Sequence, residues 1–228
     1  MITAEAALEA LCVHADAVRA AEMAAYHKAD RTYLGLSNRI TGALATEWRR
    51  AAPDQAAILT LAHGLWGTDV FEARIAAGKL FVQARIRPDD TAAWHWITSA
   101  VPQFDSWAIA DSVAQSGQKR LVQDPSRLDT LEEWTRSDHI WTRRAAFVFA
   151  LPFTKSRHPS AIEKDARARI LHWAEALADD REWFIQKAIA WWLRDLSKHD
   201  AVATRSWLDT HGERLKPFAA REAARHLP

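Results

Sequence analysis

Trp107 and Asp111 stand four residues apart in the run Asp105-Ser106-Trp107-Ala108-Ile109-Ala110-Asp111. On a helix that spacing puts an indole ring and a carboxylate on one face, a turn apart. The preceding Val101-Pro102-Gln103-Phe104 breaks a helical pattern, so Ser106 is placed to cap a new helix. Asp111 then lies beyond the first turn, where an Asp lowers helix propensity without acting as a cap. From spacing alone the favoured account is structural: Trp107 packs inwards and Asp111 pairs with a neighbouring Arg, as ion-pair networks often do. The other account is chemistry, and the rest of the chain narrows what that could be. There is no G-x-G-x-x-G, P-loop or H-E-x-x-H pattern, and no Ser or Cys in a nucleophile elbow. The ten histidines are scattered singly, and one cysteine, Cys12, cannot make an internal disulfide or a cysteine zinc site. No metal and no cofactor is expected, so any catalysis falls to carboxylate, aromatic and cationic side chains.

The elements that must position this pair are helices. Of 228 residues, 49% are hydrophobic, with only seven Gly and eight Pro. Strong helix formers dominate and β-branched runs are scarce, which predicts an all-α chain large enough to bury a sizeable core. About twelve helices are expected: 3–28, 37–51, 53–66, 69–85, 88–100, one from Ser106, 125–137, 139–151, 161–178, 180–198, 201–211 and 215–227. Asp69 is read as the cap of the fourth, and Cys12 as a small apolar filler between helices. Trp94 with Trp96, and Trp191 with Trp192, cannot share a helix face, so one of each pair is expected to point away from the core.

An internal pattern organises these helices. Phe71-Glu72-Ala73-Arg74, Trp141-Thr142-Arg143-Arg144 and Phe184-Ile185-Gln186-Lys187 each open with an aromatic and place a cation three residues later, and Trp107 takes the aromatic slot between the first two. The aromatics are 36, 34 and 43 residues apart, near the ~40–47 of HEAT-type helix pairs. The expectation is one domain over 1–228, a superhelical solenoid of about six HEAT-like pairs whose second helices line a concave groove. Arg74, Asp111, Arg144 and Lys187 should then project towards one surface. Charge leans the same way: residues 1–114 carry 10 Lys/Arg against 13 Asp/Glu, and residues 115–228 carry 20 against 16. A positive strip on the C-terminal helices would meet phosphates. Twelve tryptophans exceed what such a core requires, so some could form a stacking surface.

Several blocks together resemble the DNA alkylation repair family of AlkD-like DNA glycosylases. They are Met23-Ala24-Ala25-Tyr26 with Tyr33-Leu34-Gly35-Leu36, Leu65-Trp66 with Glu72-x-Arg74, and Trp107-x-x-x-Asp111. Asp138 to Ala146, Trp183 to Arg194, and Arg221-Glu222-Ala223 follow in order. The resemblance implies excision of cationic N3- and N7-alkylated purines from duplex DNA, with Asp111 as the catalytic carboxylate. It implies that Trp107 and Trp191 flank it, that Arg144 lies beside the cleft and that Tyr26 approaches the same nucleotide. Arg74, Arg143, Lys187 and Arg194 are candidate phosphate contacts. The chain departs from the family beside its catalytic Trp, where it has Ser106 and Ala108.

The chemistry implied is coherent. An N3- or N7-alkylated purine is already positive and leaves as a neutral base, so no general acid is needed. Bond breaking builds oxocarbenium character on the deoxyribose, which a nearby carboxylate stabilises where water is partly excluded. The alternatives are a catalytically inactive module of the same fold that binds damaged or branched DNA, and a protein-binding solenoid. The N-terminus lacks the positive region of a signal peptide, and the apolar run 145–153 is too short to span a bilayer. A cytoplasmic monomer with no membrane partner is the expectation.

Overall fold

A computed structural model describes residues 2–227. Among these residues there are thirteen α-helices and four short 3-10 turns, and the only β feature is a parallel bridge between Thr32 and Val70. No helix among them is long and apolar enough to cross a membrane. They divide into two compact units, one ending at Arg120 and one beginning at Leu121.

The first unit contains α1 (Ala4–Cys12), α2 (Ala17–His27), α3 (Asn38–Ala51), α4 (Gln55–Trp66), α5 (Phe71–Lys79), α6 (Thr91–Ala100) and most of α7 (Trp107–Gln123). The stretch 3–28, expected as one helix, is two. Asp16 caps α2 through its side chain on the Val18 and Arg19 amides, while its own N–H donates to the Leu34 carbonyl. A long-range contact thus interrupts an Ala-rich run that propensity alone would continue. Three smaller expectations are corrected in the same unit. Asp69 is not the cap of α5: Val70 holds that position, and the Asp69 carboxylate accepts instead from the Thr32 amide and hydroxyl. Cys12 is exposed at the end of α1. Trp94 and Trp96 are both buried, because α6 is covered on more than one side; Trp96 lies against Trp66 and Phe81.

α5 positions α7, and it also ends earlier than expected, at Lys79. The carbonyls of Gln83 and Ala84, beyond its end, accept from Nη2 of the fully buried Arg120. Ser112 Oγ donates to the Ile75 carbonyl, and Ser116 Oγ to that of Gly78. Residues 112, 116 and 120 are successive members of one helical row, so one face of α7 is bolted to α5 along its length. Gly78 permits the approach: a Cβ there would lie 2.8 Å from Val113 Cγ2 and 3.1 Å from the Val113 backbone.

The second unit holds α8 (Leu128–Trp134), α9 (Ile140–Phe149), α10 (Ala161–Ala176), α11 (Trp183–Ser197), α12 (Ala201–His211) and α13 (Pro217–Ala223). Ser160 and Glu163 form a reciprocal capping box that starts α10. α11 is the centre, packed against α9, α12 and α13, with Trp192 fully buried and Trp191 half-exposed. In both units bonds that join every second helix span one repeat length. Ser112 to Ile75 is 37 residues, Trp192 Nε1 to the Ala150 carbonyl 42, and Trp207 Nε1 to the Leu171 carbonyl 36.

Those bonds also correct the register of the repeat. Arg74 Nε donates to the carbonyl six residues earlier, Thr68; Arg143 Nη1 does so to Ser137, and Gln186 Nε2 to Asp180. The equivalent positions are therefore Arg74, Arg143 and Gln186, with Phe71, Trp107, Ile140 and Trp183 as the first residues of their helices. Aligning by aromatic residues placed the last two units one residue too far along. In the structural register Asp111 matches Arg144 and Lys187, while Arg74 does not.

Candidate active site

The head of α7 is held by two arginines. Arg31, its side chain only 9% exposed, reaches Asp105 through Nη2 at 2.6 Å and Asp69 at 3.7 Å. Arg74 donates to the Thr68 and Gln103 carbonyls and lies over the Trp66 ring at 4.7 Å. Both cations clamp the segment before α5 to the segment before α7. Ser106 is 1% exposed, and its hydroxyl accepts from the Ala108 amide, as a cap for α7 requires.

Behind this clamp, the chain from Lys28 to Leu36 is fixed by Glu72. The Glu72 side chain is buried on α5, and its carboxylate accepts from three backbone amides: Leu34 at 3.0 Å, Gly35 at 2.8 Å and Leu36 at 3.1 Å. Gly35 has φ +83, and a Cβ there would lie 2.3 Å from the Asp16 carbonyl oxygen, so only glycine fits this turn. The result delivers Tyr33 onto Phe71, ring centroids 4.6 Å apart, with His27 at 4.8 Å from the same Phe71.

Trp107 is packed on this aromatic layer. Its ring centroid lies 5.2 Å from His27 and 6.0 Å from Tyr26, the latter edge-on at 85°. Tyr26 is 69% exposed and Trp107 half-buried, so the cluster opens to solvent at Tyr26. Asp111, also half-buried, is one turn further along the Trp107 face. At ~100° per residue that face is turned ~100–180° from the row bolted to α5. His27 Nδ1 has no hydrogen-bond partner among the described residues. Burial pushes the His27 pKa below its ordinary 6.5, with Glu72 opposing, so a neutral imidazole packs against Trp107.

The structure thus brings Tyr26, Trp107 and Asp111 together within the first unit, with Arg74 beside them in the clamp. The other sequence-derived residues lie in the second unit. Arg144 is 4% exposed, donates to the Phe184 carbonyl and lies 5.9 Å over the Phe184 ring. Arg143 binds the Ser137 and Asp138 carbonyls and the Asp180 carboxylate. Lys187 and Arg194 share the carboxylate of Glu222. Sequence reasoning missed Arg31 altogether, and named His27, Glu72 and Tyr33 without roles. The signal for Arg31 was weak: a single Arg in a break between helices, whose partners are 38 and 74 residues away.

Among the described residues no group of three or more His, Cys, Asp or Glu is placed to hold a metal ion. What remains is an all-helical protein whose candidate centre is a carboxylate beside a half-buried indole that opens to solvent at Tyr26. The chain belongs to the family described as DNA alkylation repair enzyme, whose sequence pattern matches residues 7–227. It is similar to a solved structure described as a predicted DNA alkylation repair enzyme from Enterococcus faecalis, with a TM-score of 0.79 and 21% identity over 94% of this chain and 97% of that one. AlkD2 from Streptococcus mutans is similar at a TM-score of 0.63 and 18% identity, over 84% and 91%. A structure described as smu.31 from Streptococcus mutans UA159 gives 0.62 and 18% over 83% and 92%. No curated protein matches. At these identities the structural likeness shows the fold.

Proposed function

We propose that this alkylation repair enzyme is a DNA glycosylase that excises N3- and N7-alkylated purines from duplex DNA, with the whole chain acting as one functional domain. The observation that carries the reading is the head of α7, where Asp111 stands one turn below Trp107 on a face not used for packing on α5. A positively charged purine leaves as a neutral base. The positive charge that remains in the transition state spreads over the deoxyribose C1′–O4′ bond. Asp111 stabilises that charge across a short, partly dehydrated gap, and can orient the water that attacks C1′. Trp107 offers its ring to the sugar and the cationic nucleotide, a contact of ~0.5–2 kcal/mol, while Tyr26 borders the same rings.

The family resemblance adds Trp191 as a second ring contact and Arg144 as a supporting cation. Arg74, Arg143, Lys187 and Arg194 are proposed as phosphate contacts. Lys187 and Arg194 have the clearest support, because with Lys155 and Lys198 they set four cations around two carboxylates, Glu222 and Asp195.

Release of 7-methylguanine from methylated duplex DNA, wild type against Asp111→Asn, tests the reading. Wild type should release the base, and the Asn variant should be slower by a factor on the order of 100 or more. Absence of release by wild type, or equal rates, sinks the catalytic assignment. Uracil, a neutral base and a poorer leaving group, should be released far more slowly than 7-methylguanine.

A further inference from the structure

The corrected register singles out a residue with no role so far. Trp183 is the first residue of α11, as Trp107 is of α7. Like Trp107 it has an aromatic partner on another helix: Phe218 of α13 stacks on it at 5.6 Å and 20°. Phe184 meets it edge-on at 5.0 Å. Trp183 nevertheless remains 48% exposed, so an indole held in a defined pose by two neighbours still presents surface to water.

Its neighbours along α11 matter. Of the residues 183–194, the buried ones are Ile185, Gln186, Ala188, Ile189, Ala190, Trp192 and Leu193. Trp183, Lys187 and Trp191 are successive members of one row at i, i+4 and i+8, and all three are exposed or half-exposed. The row alternates indole, ammonium, indole. Lys187 shares Glu222 with Arg194, which also reaches Asp195 at 3.8 Å, and Lys155 and Lys198 pair with that same Asp195, so four cations meet two carboxylates. Ring faces interleaved with surplus positive charge suit a sugar-phosphate chain. In an intact duplex the bases are stacked on one another, and the apolar surface that a ring can reach is the deoxyribose.

We infer that Trp183 is a DNA-contact residue, its ring face seated on a deoxyribose of the strand that Lys187 holds by a phosphate. The inference rests on the reading of this protein as one that binds duplex DNA. The row from Trp183 to Trp191 spans ~12 Å at 1.5 Å per residue, or three to four base steps at ~3.4 Å. Trp183 thus grips undamaged DNA and contributes to affinity more than to the chemical step.

The test is equilibrium binding of wild type, Trp183→Ala and Trp183→Phe to one unmodified duplex over a range of salt concentrations, with thermal unfolding of each protein. Trp183→Ala should weaken binding roughly three- to tenfold with an unchanged salt slope, since no charge is lost. Trp183→Phe, which keeps a ring, should stay within about twofold of wild type. If wild type binds and Trp183→Ala binds equally well, the inference is overturned while the DNA reading stands. It is overturned too if both variants weaken binding only in proportion to lost thermal stability. A wild type with no salt-dependent duplex binding overturns the DNA reading itself.

Discussion

Glu72→Gln is the perturbation that best separates the scaffold of the site from its chemistry. Glu72 touches none of the proposed reacting groups, yet its two oxygens accept three backbone amides, with Oε2 taking Leu34 and Oε1 taking Gly35 and Leu36. Glutamine keeps the volume and one acceptor. Its carbonyl oxygen can retain the Gly35 and Leu36 amides, but its NH2 then faces the Leu34 amide, donor against donor. The lost charge-assisted bond is worth ~1.5–3 kcal/mol, and the stranded amide adds a penalty of ~1–3 kcal/mol if water cannot reach it. A total of about 2.5–6 kcal/mol is a large share of the ~5–15 kcal/mol that holds a typical domain folded. For a chain of this size it corresponds to a melting point lower by ~5–24 °C. The segment 28–36 carries Arg31 and Tyr33, so its loosening also frees the layer under Trp107. Thermal unfolding followed by near-ultraviolet circular dichroism, with base release measured well below the transition, checks both effects. A melting point within ~1 °C of wild type would refute the reasoning, because the three amides would then be shown to need no anionic acceptor.

Two further outcomes follow from the same unit. His27 has a folded-state pKa below its ordinary 6.5, so the unfolded chain takes up its proton first. Stability should fall as pH drops below ~6.5 and level off once the folded state is also protonated. His27→Leu should lack this component in denaturant titrations at pH 5 and pH 7.5. Gly78→Ala places a methyl group 2.8 Å from Val113 Cγ2, an overpacking that should cost ~1–3 kcal/mol. Urea unfolding should show the loss, with Val113→Ala recovering only part, because the Val113 backbone itself lies at 3.1 Å.

Much of this molecule was legible in the order of its residues. The helix starts at Ser37, Asp54, Ser160 and Asp200 are short-range signals, in which a side chain accepts from an amide two or three residues on. The pairing of Trp107 with Asp111 is equally local, fixed by the helical period and by the Ser106 cap. The family likeness was legible as well, since it rests on blocks of contiguous residues. Tertiary contacts decided the rest. The stretch 3–28 reads as one helix until Leu34 takes the Asp16 amide. Arg143 and Arg144 are adjacent cations, and only the carbonyls of Ser137 and Asp138 show which is equivalent to Arg74. Trp94 and Trp96 point to different faces of α6, and only packing on both buries them together. The clamp at Arg31 and the three amides on Glu72 join residues 36 to 74 positions apart. Sequence spacing carries helical phase because phase is local; it carries no record of which distant carbonyl a buried cation will find.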